Sequence, residues 1–365
     1  MKKHLYEAEK ELIHTVRYHP AISMILPFEP KLSLRTELEH RLKFAYDKVQ
    51  RMLRENYPPE KADALLEKLS KLLEDLNFNT FKKSICIYIS PIKEKVYYLD
   101  IPVEEKIVID ESFEIRDLVY NRKESHKYLV LLLSAERNMI YLGNGGQMLR
   151  LKSGLPDHVA AVTNDVSERV SNFSDPQSRK EVLLEKFLRL TDEHLEQILK
   201  TYSLPVFVLG THRTAGHFKH ITRHARNIVQ YVHGNFEQAT DAELHRVLQP
   251  AMQRWRASRQ QQLMEQLDQA MGAGRLITGI HEVWKAAVGK KGRLLVVEKN
   301  YRYAAYHGAD PDEIIAAEPA VNHPFYMHDA VDDAIELVLE NGGDIEFVDA
   351  PLPENYEHVV LVSYY

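Results

Sequence analysis

The tripeptide Gly145-Gly146-Gln147 is the segment of this sequence whose residue types could most directly perform chemistry. Two glycines let a backbone enter a crowded site, because they carry no side chain and accept many backbone conformations. A glutamine amide beside them can position a water molecule for hydrolysis. The dipeptide Asn144-Gly145, however, is also typical of two-residue β-hairpins. Both a catalytic loop and a hairpin turn therefore fit this segment.

A second candidate site is rich in histidine and arginine and follows an apolar strand predicted over residues 205–209. Functional loops of α/β sheets lie at the carboxyl ends of strands. We therefore predict that His212, Arg213, His217 and Arg223 contact RNA, through its phosphate groups. Histidine also titrates near neutral pH and could serve as a general base.

The spacing of the histidines in this segment permits two further interpretations. His217, His220 and His224 recur at i, i+3 and i+7, so a helix could place all three on one face. That face could bind a metal ion, or it could be a polar surface that packs against other parts of the protein. Because no tight cluster of histidine and cysteine with zinc spacing is present, we predict no metal site and no cofactor.

Basic residues are also concentrated in the last third of the chain. Lys290, Lys291 and Arg293 are predicted to contact RNA phosphates, with an affinity that falls as salt is added. Tyr301 and Tyr303 follow them and could stack on unpaired bases. The alternative is an ordinary solvated surface with core or surface tyrosines.

Composition limits the classes of protein that this chain can be. The formal net charge is −6 over 365 residues, which disfavours a large nucleic-acid footprint but permits local basic segments. The one cysteine, Cys86, lies in an apolar run and can form no internal disulfide, which suits a reducing cytoplasm. No signal peptide follows Met1, and no run reaches the about 18 apolar residues of a membrane helix. We expect a cytoplasmic protein of roughly two to three domains.

Several catalytic motifs are missing from the sequence. There is no Walker-type glycine-rich loop and no G-x-S-x-G nucleophile elbow. Cys86 has no histidine near it in the sequence. These absences disfavour an NTPase, an esterase of the α/β-hydrolase class and thiol chemistry.

Residues 1–124 are predicted to form an N-terminal α+β domain. Leucines at helical spacing predict amphipathic helices over residues 34–56 and 60–76, separated by Pro58-Pro59. Strands are predicted over residues 22–28, 84–90, 95–100 and 106–109. A polar stretch over residues 121–125 is predicted to separate this domain from the next.

Residues 125–237 are predicted to form a middle domain with a mixed sheet and helices packed on it. Three strands in a meander are predicted over residues 128–133, 139–142 and 148–151. They are followed by helices over residues 180–202 and 215–224 and by strands over residues 205–209 and 227–232.

Residues 238–258 are predicted to be a linking helix, within a long helix that Pro250 should kink or restart. Residues 259–365 alternate helices with strands and are predicted to form a C-terminal α/β sandwich domain. Its helices are predicted over residues 278–288 and 329–341, and its strands over residues 293–298, 344–348 and 358–364.

The C-terminal third resembles a known family in its residues and their order. The pattern begins with Gly274–Gly279, continues through Trp284–Ala287 and reaches the strand Gly292–Glu298. Near the end, Gly342-Gly343 leads into a strand, and Val359–Tyr365 closes the chain. These segments resemble the C-terminal domain of archaeo-eukaryotic release factors and Pelota. The chain is most similar to the bacterial branch, the bacterial archaeo-eukaryotic release factor family, over about residues 125–365.

The resemblance implies both a fold and a context. It implies an RNase-H-like sheet in the middle domain and a C-terminal domain like kink-turn-binding ribosomal proteins. The implied partners are the ribosome, tRNA or another structured RNA, with no membrane, and the oligomeric state stays open. The implied activity is hydrolysis of the peptidyl-tRNA ester, with Gly145, Gly146 and Gln147 as the catalytic candidates.

Two departures from the family pattern keep an alternative open. The family's catalytic loop lies between the third strand and the first long helix of the middle domain, here residues 154–179, where no GGQ occurs. Residues of that interval that could position a water are Asn164, Asp165, Asn172, Asp175, Gln177 and Arg179. Residues 1–124 also lack the family's codon-reading segments, so stop-codon decoding is unsupported. The alternative function is a non-catalytic adaptor that binds the ribosome or RNA.

Overall fold

The computed structural model describes residues 20–124, 127–134, 137–144, 147–151, 176–317 and 326–365. Contacts divide the chain into two compact units. The first unit combines the residues before His126 with those from Met264 onward, and the second comprises His126–Leu263. Two segments far apart in sequence therefore fold together in the first unit.

The N-terminal segment of the first unit is a four-stranded antiparallel sheet covered by helices. Its elements are β1 (Ala21–Pro27), α1 (Arg35–Asn56), α2 (Pro59–Glu74), β2 (Ser84–Ile89), β3 (Glu94–Leu99), β4 (Lys106–Asp110) and α3 (Arg116–Glu124). The strand order is β3-β2-β1-β4. Because side chains alternate along a strand, Ile22 and Met24 of β1 pack under α1 and α2, whereas Ala21 and Ile25 face the opposite side.

The second unit contains a five-stranded mixed sheet. Its elements are β5 (Tyr128–Leu133), β6 (Asn138–Asn144), β7 (Gln147–Arg150), α4 (Pro176–Tyr202), β8 (Val206–Gly210), α5 (His212–Ile221), β9 (Ile228–His233) and most of α6 (Asp241–Gly272), whose residues from Met264 onward belong to the first unit. The strand order is β7-β6-β5-β8-β9. Strands β5, β8 and β9 run parallel to one another, and β6 pairs antiparallel with both β5 and β7. A meander followed by two parallel strands is consistent with the RNase-H-like sheet that the resemblance implies.

Helices cover both faces of this sheet. Leu188 and Leu195 of α4 and Phe218 of α5 pack on one face. Leu244 and Leu248 of α6 pack on the other face. Both faces are thus buried, which explains the continuous apolar run of β5.

The C-terminal segment completes the first unit with a second sheet. Its elements are β10 (Leu276–Thr278), α7 (Ile280–Val288), β11 (Gly292–Glu298), β12 (Ala305–His307), β13 (Ile314–Ala316), β14 (Tyr326–Met327), α8 (Ala330–Glu340), β15 (Asp344–Val348), a short 3₁₀ helix (Glu354–Tyr356) and β16 (Val359–Ser363). The main sheet has the order β10-β16-β11-β15, and β13-β12-β14 form a small separate sheet. The predicted combination of α/β and α+β architecture in a multidomain chain is confirmed.

The two segments of the first unit share one apolar core and a buried polar junction. Asp332 of α8 accepts hydrogen bonds from the backbone N–H groups of Ile115 and Arg116, at 3.1 and 2.6 Å. It thereby caps the amino end of α3 from more than two hundred residues away. The Arg116 guanidinium lies 3.3 Å from the Asp329 carboxylate, and both side chains are buried. The junction therefore depends on charged groups removed from water.

The structure differs from the sequence predictions in several elements. The polar stretch at residues 121–125 was predicted to separate two domains; the chain divides into its two units after Ser125, and the residues up to Glu124 belong to the helix α3, which was not predicted and which Asp332 caps. The helix predicted from Thr278 begins at Ile280, because Gly279 has φ +78° and ends the short strand β10. The helix predicted from about residue 215 begins at His212. The small sheet β12–β14 was not predicted, because its strands contain only two or three residues.

Candidate nucleic-acid interface

The carboxyl ends of β5, β8 and β9 meet at one edge of the sheet in the second unit. Ser134 follows β5, Thr211 follows β8, and His233 is the last residue of β9. The backbone N–H of Gly234 donates to the Gly210 carbonyl oxygen at 3.0 Å, which holds two of these strand ends together. Ligands of α/β proteins bind preferentially at such an edge. We call it the carboxyl edge.

His212 and His233 stack on each other at the carboxyl edge. Their ring centroids are 4.0 Å apart and the ring planes differ by 17°. Both residues are exposed, so the pair offers a flat surface and imidazole nitrogens to solvent. A planar exposed pair of this kind can stack on an unpaired base or donate to a phosphate.

Local sequence explains how His212 is placed. Thr211 caps α5, because its hydroxyl accepts from the Thr214 N–H at 3.2 Å. The glycine before it permits close strand packing, since a Cβ on Gly210 would lie 2.8 Å from the Leu133 carbonyl oxygen. The helix therefore starts immediately at the strand end, with its positive amino end at the carboxyl edge.

The predicted cations of this segment have different environments. Arg213 Nη2 lies 3.1 Å from Glu181 Oε1, and both side chains are about half exposed, so this pair contributes only about 0–1 kcal/mol and can exchange partners. The Arg223 side chain is exposed, while its backbone N–H donates to the buried Asp192 at 3.0 Å. His217 is half-buried on α5. Arg213 and Arg223 thus remain available to a phosphate.

The interpretation of three histidines on one helical face is wrong. Helix α5 ends at Ile221, and Thr222 has an extended backbone. His224 therefore lies beyond the helix, where its imidazole is 3.8 Å from the Asp192 carboxylate. Within the described ranges, no three histidine, cysteine or acidic side chains are placed to hold a metal ion.

A cavity opens next to β9, and the sequence did not reveal it. Its volume is about 590 Å³, within the range of small-molecule sites. Its lining residues are Asn235, Phe236, Glu237, Gln238, Ala239, Glu243, Arg246 and Val247. Glu237 accepts from the Ser134 hydroxyl at 3.1 Å, which ties the cavity wall to the end of β5. Amide side chains and an arginine are groups that recognise base edges and phosphates.

Sequence reasoning did not identify His233 and the cavity residues that follow β9, although their position after a strand could have indicated them. His233 and the residues after it follow a strand, as the segment from Thr211 does. The rule that places ligands at the carboxyl ends of parallel strands applies equally to both. They were missed because no local sequence pattern indicates that β9 pairs in parallel with β8.

The residues on either side of Gly145 and Gly146 lie at the opposite end of the sheet from His212. Gly145 and Gly146 are outside the described residues, but Asn144 of β6 pairs with Gln147 of β7. Next to them, Gly143 pairs with Tyr128, the first residue of β5. Five residue steps of β5 correspond to roughly 17 Å. The backbone of Gln147 and the carboxyl edge therefore lie at opposite ends of the sheet, about the length of β5 apart along the strand direction.

The other loop candidates fall mostly outside the described part of the chain. Asn164, Asp165, Asn172 and Asp175 are not described. The helix α4 begins at Pro176, so Gln177 and Arg179 lie in its first turn.

The basic residues of the C-terminal segment lie in the first unit. Lys290 follows α7 and its cap Gly289, has φ +57°, and donates its N–H to the Ala287 carbonyl oxygen at 2.9 Å. Lys291 is exposed and Arg293 is half-buried. Cations at the carboxyl end of a helix interact favourably with its dipole, so Lys290 and Lys291 have a structural role beside any RNA contact.

Comparison with known proteins agrees with these observations. Residues 127–291 match the family model described as Bacterial archaeo-eukaryotic release factor family 3. The resemblance is thereby confirmed for this segment. The matched segment includes the five-stranded sheet, the carboxyl edge and the GGQ tripeptide, and it ends before β11. It does not reach the tail that also suggested the family.

Several solved structures are similar to the chain at low sequence identity. The archaeal translation termination factor aRF1 is 13% identical, with 100% of this chain and 98% of that chain covered and a TM-score of 0.25. A model of ribosome-bound archaeal Pelota and ABCE1 is 11% identical, with 100% and 94% covered and a TM-score of 0.42. Dom34 from S. cerevisiae, a translation termination-like factor, is 12% identical, with 80% and 82% covered and a TM-score of 0.42. No curated protein matches the chain.

Across the described ranges, no helix has the length and apolarity required to cross a bilayer.

The Cys86 side chain is fully buried, and this burial raises the pKa of its thiol.

Proposed function

We propose that this protein is a translation-associated factor that resembles a peptide-chain release factor and acts in the cytoplasm on the ribosome or on tRNA. The observation that carries the proposal is the family match of residues 127–291. Among the described residues, that segment holds the carboxyl edge, where sequence reasoning and the sheet geometry both favour contact with RNA.

The carboxyl edge is the proposed RNA contact of the second unit. It combines the stacked rings of His212 and His233 with two exposed arginines, Arg213 and Arg223. Rings bind unpaired bases and cations bind phosphates. The half-buried His217 lies on the same helix and is included in this proposal. Lys290, Lys291 and Arg293 are proposed as a second RNA contact, in the first unit.

Ester hydrolysis by Gly145, Gly146 and Gln147 is the finer proposal. A glutamine amide positions a water by donating and accepting hydrogen bonds, and the family context provides peptidyl-tRNA as the substrate. Because the backbone of Gln147 lies at the end of the sheet opposite the carboxyl edge, RNA bound at that edge must extend along the sheet to bring its ester to Gln147.

A non-catalytic adaptor is the second candidate, and one observation favours it. Gln147 pairs with Asn144 across the β6–β7 hairpin, so its backbone already belongs to the sheet. An adaptor would use the carboxyl edge to bind RNA and would have no hydrolytic step.

The test is release of labelled peptide from peptidyl-tRNA on bacterial ribosomes, with Gln147→Ala beside the wild type. Gln197→Ala is the matched control, because Gln197 is an exposed glutamine on α4. For an enzyme we expect release by the wild type and the control, and a loss of at least about a hundredfold in Gln147→Ala.

The adaptor makes the opposite prediction for release. If the protein is an adaptor, we expect no release by any variant. We also expect tRNA binding that is unchanged in Gln147→Ala and weaker when His212→Ala is combined with Arg213→Ala. Absence of both release and RNA binding contradicts the proposed function in either form.

A further inference from the structure

The helix α6 carries a group of arginines that lies outside the carboxyl edge for most of its length. No acidic residue occurs between Glu243 and Glu265 of the sequence. The same interval contains four arginines, which are Arg246, Arg254, Arg256 and Arg259. The five strands of the sheet on which this part of α6 packs contain no acidic residue either. No carboxylate of this helix interval or of these strands therefore balances the arginine charges.

The helix α6 runs along the sheet from the carboxyl edge toward the end where β5 begins. Arg246 lines the cavity beside the carboxyl edge. Farther along, the centroid of the Trp255 ring lies 6.0 Å from that of Phe207, which is 5.6 Å from that of Tyr128, the first residue of β5. The ten helical steps from Arg246 to Arg256 span roughly 15 Å. One helix therefore carries arginines toward both ends of the sheet.

Tyr128 links Arg256 to the strand that leads into the GGQ tripeptide. A Cβ on Gly143 of β6 would lie 2.3 Å from Cζ of the Tyr128 ring, so the ring lies directly against the Gly143 backbone. Burial raises the pKa of Tyr128, and the positive charge of Arg256 opposes this rise. Arg256 is therefore close to a ring that contacts the chain two residues before Gly145.

Arg256 and Arg259 are neighbours on the side of α6 that is directed toward β5. Helical residues three apart lie next to each other, and both arginines are exposed. The Arg259 guanidinium lies 5.6 Å from the centroid of the Trp255 ring. Arg254 leaves the helix on the other side of Trp255, where Gln230 of β9, with its amide oxygen toward α6, accepts from Arg254 Nη2 at 2.7 Å. The pair nearest to the GGQ tripeptide is therefore Arg256 and Arg259.

We propose that Arg256 and Arg259, together with Lys127, bind phosphates of the tRNA acceptor end whose ester reaches Gln147. Lys127 is exposed and directly precedes β5. The planar guanidinium of arginine matches a phosphate with two hydrogen bonds. RNA is favoured over an acidic protein segment, because the backbone of Gln147 lies at the same end of the sheet.

This inference rests on the proposed function, since it takes tRNA as the ligand. It adds a contact to that function. The carboxyl edge binds one part of the RNA, and the arginines of α6 hold the acceptor end at the opposite end of the sheet.

The first test measures RNA binding by the full-length protein through fluorescence anisotropy. The probes are a labelled tRNA and an RNA hairpin that reproduces only the acceptor stem and its single-stranded 3′ end. In Arg256→Gln combined with Arg259→Gln, we expect the affinity for both probes to fall at least about tenfold at about 100 mM salt. The slope of log affinity against log salt concentration should become shallower by about 1.4, the value for two phosphate contacts to a single strand.

Two control variants separate charge from packing. Arg256→Lys combined with Arg259→Lys keeps both charges and should retain most of the salt dependence. Arg189→Gln removes an exposed arginine from α4, which packs on the opposite face of the sheet, and should change neither the affinity nor the slope. All substituted arginines are exposed, and an unchanged melting temperature confirms that each variant is folded.

The second test locates the bound RNA by crosslinking. Gln260 is exposed and lies one helical turn after Arg256, so Gln260→Cys places a thiol beside the arginines. The native Cys86 is fully buried and does not compete for a thiol-reactive photo-crosslinker. We expect crosslinks from position 260 to the 3′-terminal nucleotides of tRNA, and none from Arg189→Cys.

Two results would overturn the inference while the proposed function stands. One is unchanged RNA binding in the Arg256→Gln/Arg259→Gln variant, with weaker binding in His212→Ala combined with Arg213→Ala. The other is crosslinking only to nucleotides outside the acceptor end. If the wild type binds neither probe, the inference fails, and the release assay on ribosomes decides the proposed function separately.

Discussion

Glu114 should make the stability of the first unit depend on pH near neutrality. It is a buried carboxyl group between β4 and α3, only 8% exposed. Burial raises its pKa to about 8, nearby Lys106 opposes this, and Asp329 and Asp333 add to it. The Lys106 ammonium lies 4.0 Å from Glu114 Oε2 and also pairs with Asp117 at 2.8 Å. Lys106 is thus shared and cannot fully offset burial.

Whether stability rises or falls with pH depends on whether the folded or the unfolded state holds the Glu114 proton. Between the ordinary pKa of 4.5 and the folded value of about 8, the folded protein keeps a proton that the unfolded chain has released. This stabilisation is complete below about pH 4.5 and is lost as the pH rises through about 8. At about 1.4 kcal/mol per pH unit, the interval corresponds to roughly 5 kcal/mol.

The perturbation is Glu114→Gln, which imitates the neutral acid. We expect the variant to have nearly the stability of the wild type at pH 5, and to exceed it by at least about 2 kcal/mol at pH 8.5. Urea unfolding is followed by tryptophan fluorescence in a Trp255→Phe background. The remaining tryptophan, Trp284, is buried in the first unit and reports on it alone.

The matched control is Glu105→Gln, since Glu105 is an exposed carboxyl group on the connection between β3 and β4. It should leave the slope of stability against pH as it is in the wild type. If Glu114→Gln also leaves that slope unchanged, the carboxyl group is ionised in the folded protein at neutral pH and the reasoning is refuted.

Further predictions concern stability and RNA binding. Asp332→Ala should lower the free energy of unfolding by about 2–3 kcal/mol, because two backbone N–H groups of α3 lose their acceptor; an unchanged urea midpoint would contradict this. Gly210→Ala should destabilise by about 1–3 kcal/mol through its clash with a backbone oxygen, whereas Gly216→Ala, with open space around it, should stabilise by about 0.5–1 kcal/mol. Thermal unfolding of the pair decides whether their effects have opposite signs. Arg213→Ala should make the slope of log affinity for tRNA against log salt concentration shallower by about the amount expected for one phosphate contact. Filter binding over a salt series measures this slope.

The apolar elements of the fold were predictable because their patterns are local. The leucines of α1 and the continuous apolar run of β5 define their elements without reference to the rest of the chain. The helix α3 was not predictable, because its cap is Asp332, which is distant in sequence. Pro250 was expected to kink or restart the long helix, and α6 contains it within one continuous helix, Asp241–Gly272.

The candidate site was predictable in part for the same reason. His212 and Arg213 follow a recognisable buried strand, so their place at a sheet edge could be inferred. The stacking partner His233 and the cavity beside it depend on the parallel pairing of β9 with β8, which no local pattern encodes. The sequence also did not indicate that Gln147 and His212 lie at opposite ends of the sheet, which follows from the strand register.

The most direct test of the central claim is sedimentation of the purified protein with bacterial ribosomes that carry tRNA, together with filter binding to free tRNA at about 100 mM salt. The account predicts binding to at least one of these, weakened by added salt and by His212→Ala combined with Arg213→Ala. Binding to neither, by a protein that is folded by circular dichroism, would contradict a role in translation.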